Sequence, residues 1–210
     1  MSPPPRDSRE AILDTAERLF AERGLEGASL REISAVAGHR NHSAAQYHFG
    51  DRTGLVVAIV QRRLVTINAR RLAMLAELDR DGRGEQVGGV VAATVRPAIE
   101  VVCVPTGWYG RFLARTRADA GANAAIAGIP ELSGIRSIDA RLRTALSDLP
   151  RSIRRTRIDL LHTLMINALA EWEWGRDRGR RVLPRDILVQ ELTMTGTALL
   201  LANRVPDSVN

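Results

Sequence analysis

Apolar positions recur at helical spacing along the chain, and the breaks between runs fall at glycine and proline. Between Glu10 and Arg23, the residues Ile12, Ala16, Leu19 and Phe20 stand at i, i+4, i+7 and i+8, one stripe of an α-helix. Gly24 supplies the stop. Ser29-Leu30-Arg31-Glu32 has the spacing of a capping box, in which the serine oxygen accepts from the Glu32 amide and the Glu32 side chain returns to the Ser29 amide. Leu30, Ile33 and Ala37 form the face behind it, Gly38 ends it after about two turns, and Asn41 is a favourable N-cap for a third helix. Asp51 caps a fourth, running through Leu55, Ile59 and Leu64 toward Leu78, and Asp79 to Gly84 reads as a loop. Further helices are predicted at about 86–103, 107–120, 131–149, 151–176 and 185–203. They are divided by Pro105, the stretch from Gly121 to Pro130, Pro150, and Gly179 to Pro184. No alternating strand pattern competes. The expected fold is all-α with nine helices: a three-helix unit over residues 1–50, and a helical bundle over 51–210 joined to it through the fourth helix.

The third predicted helix is unusual in its polarity. Ala45 and Phe49 are four apart and anchor one side, leaving His42 with Gln46, and Ser43 with Tyr47, on the other. A short helix presenting these donors and acceptors behind a capped helix and a glycine turn has the layout of a helix-turn-helix DNA reader, able to enter a major groove about 12 Å wide. The first four helices resemble the TetR family of bacterial transcriptional regulators. The residues carrying the resemblance are Ile12, Ala16, Leu19, Phe20 and Gly24, then Ser29, Ile33, Ala37 and Gly38, then Tyr47-His48-Phe49, and Asp51 with Leu55. The stretch from Gly38 to the Tyr-His-Phe triplet is one residue longer than in the commonest family form, and Gly50 stands where lysine is frequent.

The resemblance implies that His42, Ser43 and Gln46 read bases while Ser29, Tyr47, His48 and Arg52 hold phosphates. Arg40 in the turn and Asn41 at the cap complete the DNA-binding candidates. Ser29 serves equally as a helix cap, and Ser43 with Gln46 has the spacing of a capping pair that would take Gln46 off the DNA.

Charge adds less than it first suggests. The net charge is +6, yet residues 1–50 hold six Arg against seven Asp and Glu, a net of −1, so bulk basicity is not what argues for DNA. All 30 basic residues are arginine, a usage that fits a GC-rich genome. One cysteine excludes an internal disulfide, the Met1-Ser-Pro-Pro-Pro-Arg-Asp7 start lacks the apolar run of a signal peptide, and no stretch approaches the roughly 20 apolar residues of a membrane span. A cytoplasmic protein is expected, nucleoid-associated when bound to DNA.

The last two long helices carry wide apolar faces, more than one buried side requires. The resemblance implies a two-fold four-helix interface there, with Leu160, Leu161, Leu164, Ala168, Leu192 and Leu199 in the seam of a homodimer, against burial within the monomer as the alternative. Two readers also suit a palindromic operator, since one short helix reads too few base pairs to be specific. The family further implies a small-molecule effector inside the bundle. Cys103, Trp108, Tyr109, Phe112, His162 and Met165 form an aromatic and polarisable set for such a cavity, or equally a plain core. No enzyme chemistry is expected: Cys103 has no evident base, and His39, His42 and His48 lack a cysteine or a suitably spaced carboxylate for a metal site. No cofactor is expected either. The resemblance thus implies a dimeric, ligand-responsive transcriptional regulator, and a repressor as the commonest kind in that family. The alternatives are an activator, an effector-independent regulator, or a helical module whose reader motif is vestigial.

Overall fold

The computed structural model describes residues 8–202. The 1–7 start and the final residue of the last expected helix, 203, lie outside the described residues. Within them the chain forms ten α-helices: α1 (Ser8–Arg23), α2 (Leu30–Val36), α3 (Ala44–Phe49), α4 (Arg52–Arg80), α5 (Val87–Val102), α6 (Tyr109–Arg117), α7 (Ala120–Ala127), α8 (Ser133–Ala145), α9 (Arg151–Asp177) and α10 (Arg185–Leu201). A 3-10 turn, Pro130–Leu132, precedes α8. No described residue is in a strand.

The N-terminal helices form where the pattern places them. Ile12, Ala16, Leu19 and Phe20 are buried on α1, and Gly24 and Gly38 end α1 and α2 with φ of 82° and 85°, a region an L side chain rarely enters. Ser29 Oγ accepts from the Glu32 amide at 3.1 Å. The return arm of the expected box is replaced: the Glu32 carboxylate takes Arg23 Nη1 at 2.6 Å, tying α2 to the end of α1.

Three expectations need correction. The third helix starts at Ala44, not after Asn41, because Asn41 Oδ1 accepts from the Ser43 amide at 2.9 Å and closes a turn instead of capping a helix. The Gly121 to Pro130 stretch, read as a break, is mostly α7, whose first turn is capped by Asp119 Oδ1 on the Ala122 amide at 2.8 Å. The helix expected over 131–149 is shorter, α8 beginning only after the 3-10 turn and ending at Ala145.

Helix α4 runs for 29 residues from a cap at Asp51, whose Oδ1 accepts from the Gly54 amide at 2.7 Å. Its first turns pack on α1 and α3 and the rest on α5, α7 and α8. An ion-pair cluster locks α1 to α4. Arg63 donates to both oxygens of the buried Glu17 at 2.9 and 2.7 Å, and Arg62 reaches Glu10, Asp14 and Glu17 at 3.0, 2.8 and 3.1 Å. Helix α6 touches α1 on one side and α9 on the other. A Cβ at Gly110 would lie 2.8 Å from the Leu169 carbonyl carbon, so glycine permits the α6–α9 approach.

Candidate nucleic-acid interface and bundle cavity

The reader is assembled from α2, the turn after it, and α3. Ala44 and Ala45 are buried, pinning one side of α3 to the core. Ser34, with no exposed surface, fixes the angle between the two helices: its Oγ accepts from the Ala45 amide and donates to the Leu30 carbonyl, both at 2.9 Å. No role was assigned to Ser34 from the sequence, since a serine inside a helix carries no local signal of a bond to the next helix. Arg40, Asn41, His42, Ser43, Gln46, Tyr47 and His48 are all exposed.

Their placement differs in detail from the expectation. His42 and Ser43 lie in the turn before α3, so they flank its N-terminus instead of sharing a stripe with Gln46 and Tyr47. Ser43 makes no side-chain cap bond, so the capping pair that would have removed Gln46 from the surface does not form. Tyr47 is 84% exposed and packs edge-on against the His48 ring at 5.3 Å. Ser29 caps α2. Arg52, half-buried at the start of α4, pairs with Glu26. The exposed set therefore offers an amide, a phenol, imidazoles and a serine hydroxyl around one helix end, the mixture that bonds base edges and phosphates.

Behind the reader, α4, α5, α6, α7 and α9 line a half-open cavity of about 280 Å³. Tyr109, His162 and Met165 line it as expected, with Leu64, Leu113 and Arg71. The other three candidates do not. Phe112 is fully buried, stacked between Tyr109 and Phe20 of α1 at centroid separations of 5.8 and 6.4 Å. Trp108 lies under the Arg111 guanidinium, 4.1 Å from its ring centroid, on the other side of α6. Cys103 is packed in the core, where burial pushes its thiol up to about 12.

Arg71 was missed. It occupies an apolar stripe position of α4, between Ile67 and Leu75, and is 1% exposed. Burial lowers its pKa to about 10. An arginine at an otherwise apolar register position was the available signal. His162 Nε2 lies 2.8 Å from Asp139 Oδ1 on α8. A second buried charge, Glu173 on α9, accepts from the Gly110 and Arg111 amides at 3.0 and 2.9 Å, yet burial raises it to about 7.

The expected dimer seam splits into two sides. Leu161 and Leu192 are buried within the chain, Leu161 Cδ1 lying 2.7 Å from where a Cβ at Gly196 would be, so neither can form an outer seam. Leu164, Ala168 and Leu199 are half-buried, while Leu160 is 48% and Met194 61% exposed, with Ile187 and Leu201 also exposed on α10. The neighbours Leu160 and Leu161 part because successive helix residues differ by about 100°.

Residues 12–59 match the profile described as bacterial regulatory proteins, tetR family. The chain is 40% identical over 57 residues to the HTH-type transcriptional repressor AcnR of Corynebacterium glutamicum, a stretch covering 27% of this chain and 30% of that protein. Two solved structures share the fold over nearly the whole length. The fatty acid degradation regulator FadR from Bacillus halodurans superposes with a TM-score of 0.65 at 14% identity, over 97% of this chain and 98% of FadR. SmeT, the repressor of the Stenotrophomonas maltophilia multidrug efflux pump SmeDEF, gives 0.56 at 22% identity, over 98% and 94%.

Proposed function

We propose that this chain, whose N-terminal domain belongs to the tetR family of bacterial regulatory proteins, is a homodimeric transcriptional repressor. It leaves a palindromic operator when a small, mostly apolar molecule enters the bundle cavity. In this reading residues 1–50 read DNA through Gln46, His42 and Ser43, with Tyr47, His48, Ser29, Arg40, Asn41 and Arg52 at the backbone. Residues 51–210 hold the ligand and the partner subunit. The repressor sign follows the roles named for AcnR and SmeT.

The observation that carries the proposal is that the cavity wall and the reader share elements. Arg52 and Arg71 stand on one continuous helix, 19 residues or about 28 Å apart. Tyr109 of the wall stacks on Phe112, which stacks on Phe20 of α1. A ligand that shifts α4 or α6 therefore acts on α1 as well, where Arg62 and Arg63 hold Glu17. By linkage, a ligand preferring the conformation with badly spaced readers weakens DNA, and DNA weakens that ligand by the same factor.

The test is anisotropy of a labelled inverted repeat from the DNA flanking the gene, titrated with protein and then with small apolar molecules. Binding should be specific, sensitive to salt, and two chains per repeat. A molecule that fills the cavity tightly yet leaves operator affinity unchanged overturns the release mechanism. Absence of sequence preference on every such repeat overturns the reader.

A further inference from the structure

The cavity wall holds a charge, Arg71, that no carboxylate among the described residues contacts. Arg71 donates from Nη1 to Asn68 Oδ1 at 2.9 Å. Its Nε is buried without a hydrogen-bond partner, and among the described residues no carboxylate forms an ion pair with it. Asp139 acts on it only at a distance, and that carboxylate is already engaged by His162. The Tyr109 phenol, kept protonated by burial, brings no anion either. Arg117 also lines the wall, but it is exposed and donates to Thr163 Oγ1 at 3.0 Å, so water and a hydroxyl serve it. A guanidinium taken from water without a counter-ion is costly in a folded chain, and its planar donor fork matches a carboxylate. The surrounding wall is apolar, with Leu64, Leu113, Ile126 and Met165 facing the same space.

We infer that the cavity binds an amphipathic monocarboxylate, its head on Arg71 and its apolar body among Leu64, Leu113, Ile126 and Met165. The inference rests on the reading of this cavity as the effector site. One buried arginine compensates one negative charge, and Asp159 on the wall with Asp139 behind it disfavours a phosphate dianion. Size narrows the class further. A 150 Å³ apolar cavity accommodates benzene, so one of about 280 Å³ takes a body and head on the order of ten non-hydrogen atoms. The head would also bear on the Asn68 contact, and Asn68 Nδ2 donates to the Glu131 carbonyl of the 3-10 turn. Occupancy is thereby coupled to the start of α8.

The experiment compares octanoate, octan-1-ol and octylamine on the purified full-length chain by calorimetry and thermal melting. Octanoate should bind once per chain, at least about tenfold tighter than the alcohol, and octylamine should not bind. Arg71→Met should erase the gap between acid and alcohol while keeping or raising the melting temperature of the free protein, because it removes an uncompensated buried charge. Arg71→Lys should keep a preference for the acid. Equal binding of acid and alcohol by the natural chain overturns the inference, as does undiminished octanoate affinity in Arg71→Met or no octanoate binding up to about 1 mM. Should Arg71→Met not fold, Arg71→Gln, which can still donate to Asn68, is read in the same way. Octanoate binding that leaves operator affinity unchanged supports the monocarboxylate and overturns the release mechanism. Operator release by octan-1-ol as effective as by octanoate does the reverse.

Discussion

Single side chains divide here into those that act outward and those that hold charge inside. Gln46 stands on the exposed face of α3 with its backbone carbonyl bonded to Gly50 and no cap claiming its side chain. Gln46→Ala should relax base preference at one position in each half-site, at a cost of about 1 to 3 kcal/mol. Arg52→Ala should instead weaken all sequences alike and lower the salt slope by about one. An unchanged preference profile in a binding-site selection with Gln46→Ala would show that another residue reads the base. Inside, Glu173 yields a pH dependence. Burial lifts it to about 7 from an ordinary 4.5, against the pull of two amides and Arg111. Between those values the folded chain keeps a proton that the unfolded chain has released, so this stability is full below about pH 4.5 and is lost as pH rises through about 7. Denaturation of the natural chain and Glu173→Gln should give a stability difference that changes by a few kcal/mol over this window. A flat difference would show the carboxylate is ionised throughout. The exposure of Gln46 and the cap at Ser29 were legible in the sequence because periodicity and caps are local signals. Glu173 was not, since the two amides it accepts from lie 63 and 62 residues away, and Arg71 was not, since what surrounds it is a cavity lined by several separate helices.

Among the elements, α3 is the one whose position matters most and whose own length supports it least. Six residues make fewer than two turns, well short of what is stable alone, so tertiary contacts must hold it. Ser34 is the main polar one. Ser34→Ala would leave the buried Ala45 amide without an acceptor, costing about 1 to 3 kcal/mol. The expected signature is faster hydrogen exchange at Ala45 and a larger fall in operator affinity than in affinity for a cavity ligand. Equal exchange in the variant would mean that Ala44 and Ala45 packing alone fixes α3. The same dependence on packing explains where the sequence reading slipped. The polar turn from His39 to Ser43 follows a regular pattern but has its hydrogen bonds closed locally by Asn41, so the helix starts later. Alanine-rich α7 lacked the large apolar residues that mark periodicity, though Asp119 gave a cap and alanine is the best helix former. By contrast α1, α4 and α9 combine long stripes with clear stops and were readable over nearly their whole length.

At the scale of the molecule, the question is what covers the outer side of α9 and α10. Leu160, Ile187, Met194 and Leu201 are exposed there, with Leu164 and Leu199 half-buried beside them, whereas Leu161 and Leu192 point into the chain and contribute to its core. The sequence showed the excess of apolar residues on both helices but not which part was in excess, because that depends on how α5 packs against α10. The proposed dimer uses the outer part. Met194→Arg and Leu160→Arg are sharper tests than changes at Leu161 or Leu192: the substituted side chains are solvated in an isolated chain and become buried, unpaired charges only in the two-fold seam. Each variant should keep its helical circular dichroism and unfold cooperatively, at a melting temperature lowered only by the lost association, while shifting from dimer to monomer in sedimentation. Operator affinity should then fall steeply, since two linked readers bind with an effective concentration that a single reader lacks. A short single half-site should show a much smaller loss. If both variants sediment as dimers and bind the full operator as the natural chain does, the seam lies on another face and the spacing of the readers is set elsewhere in the bundle.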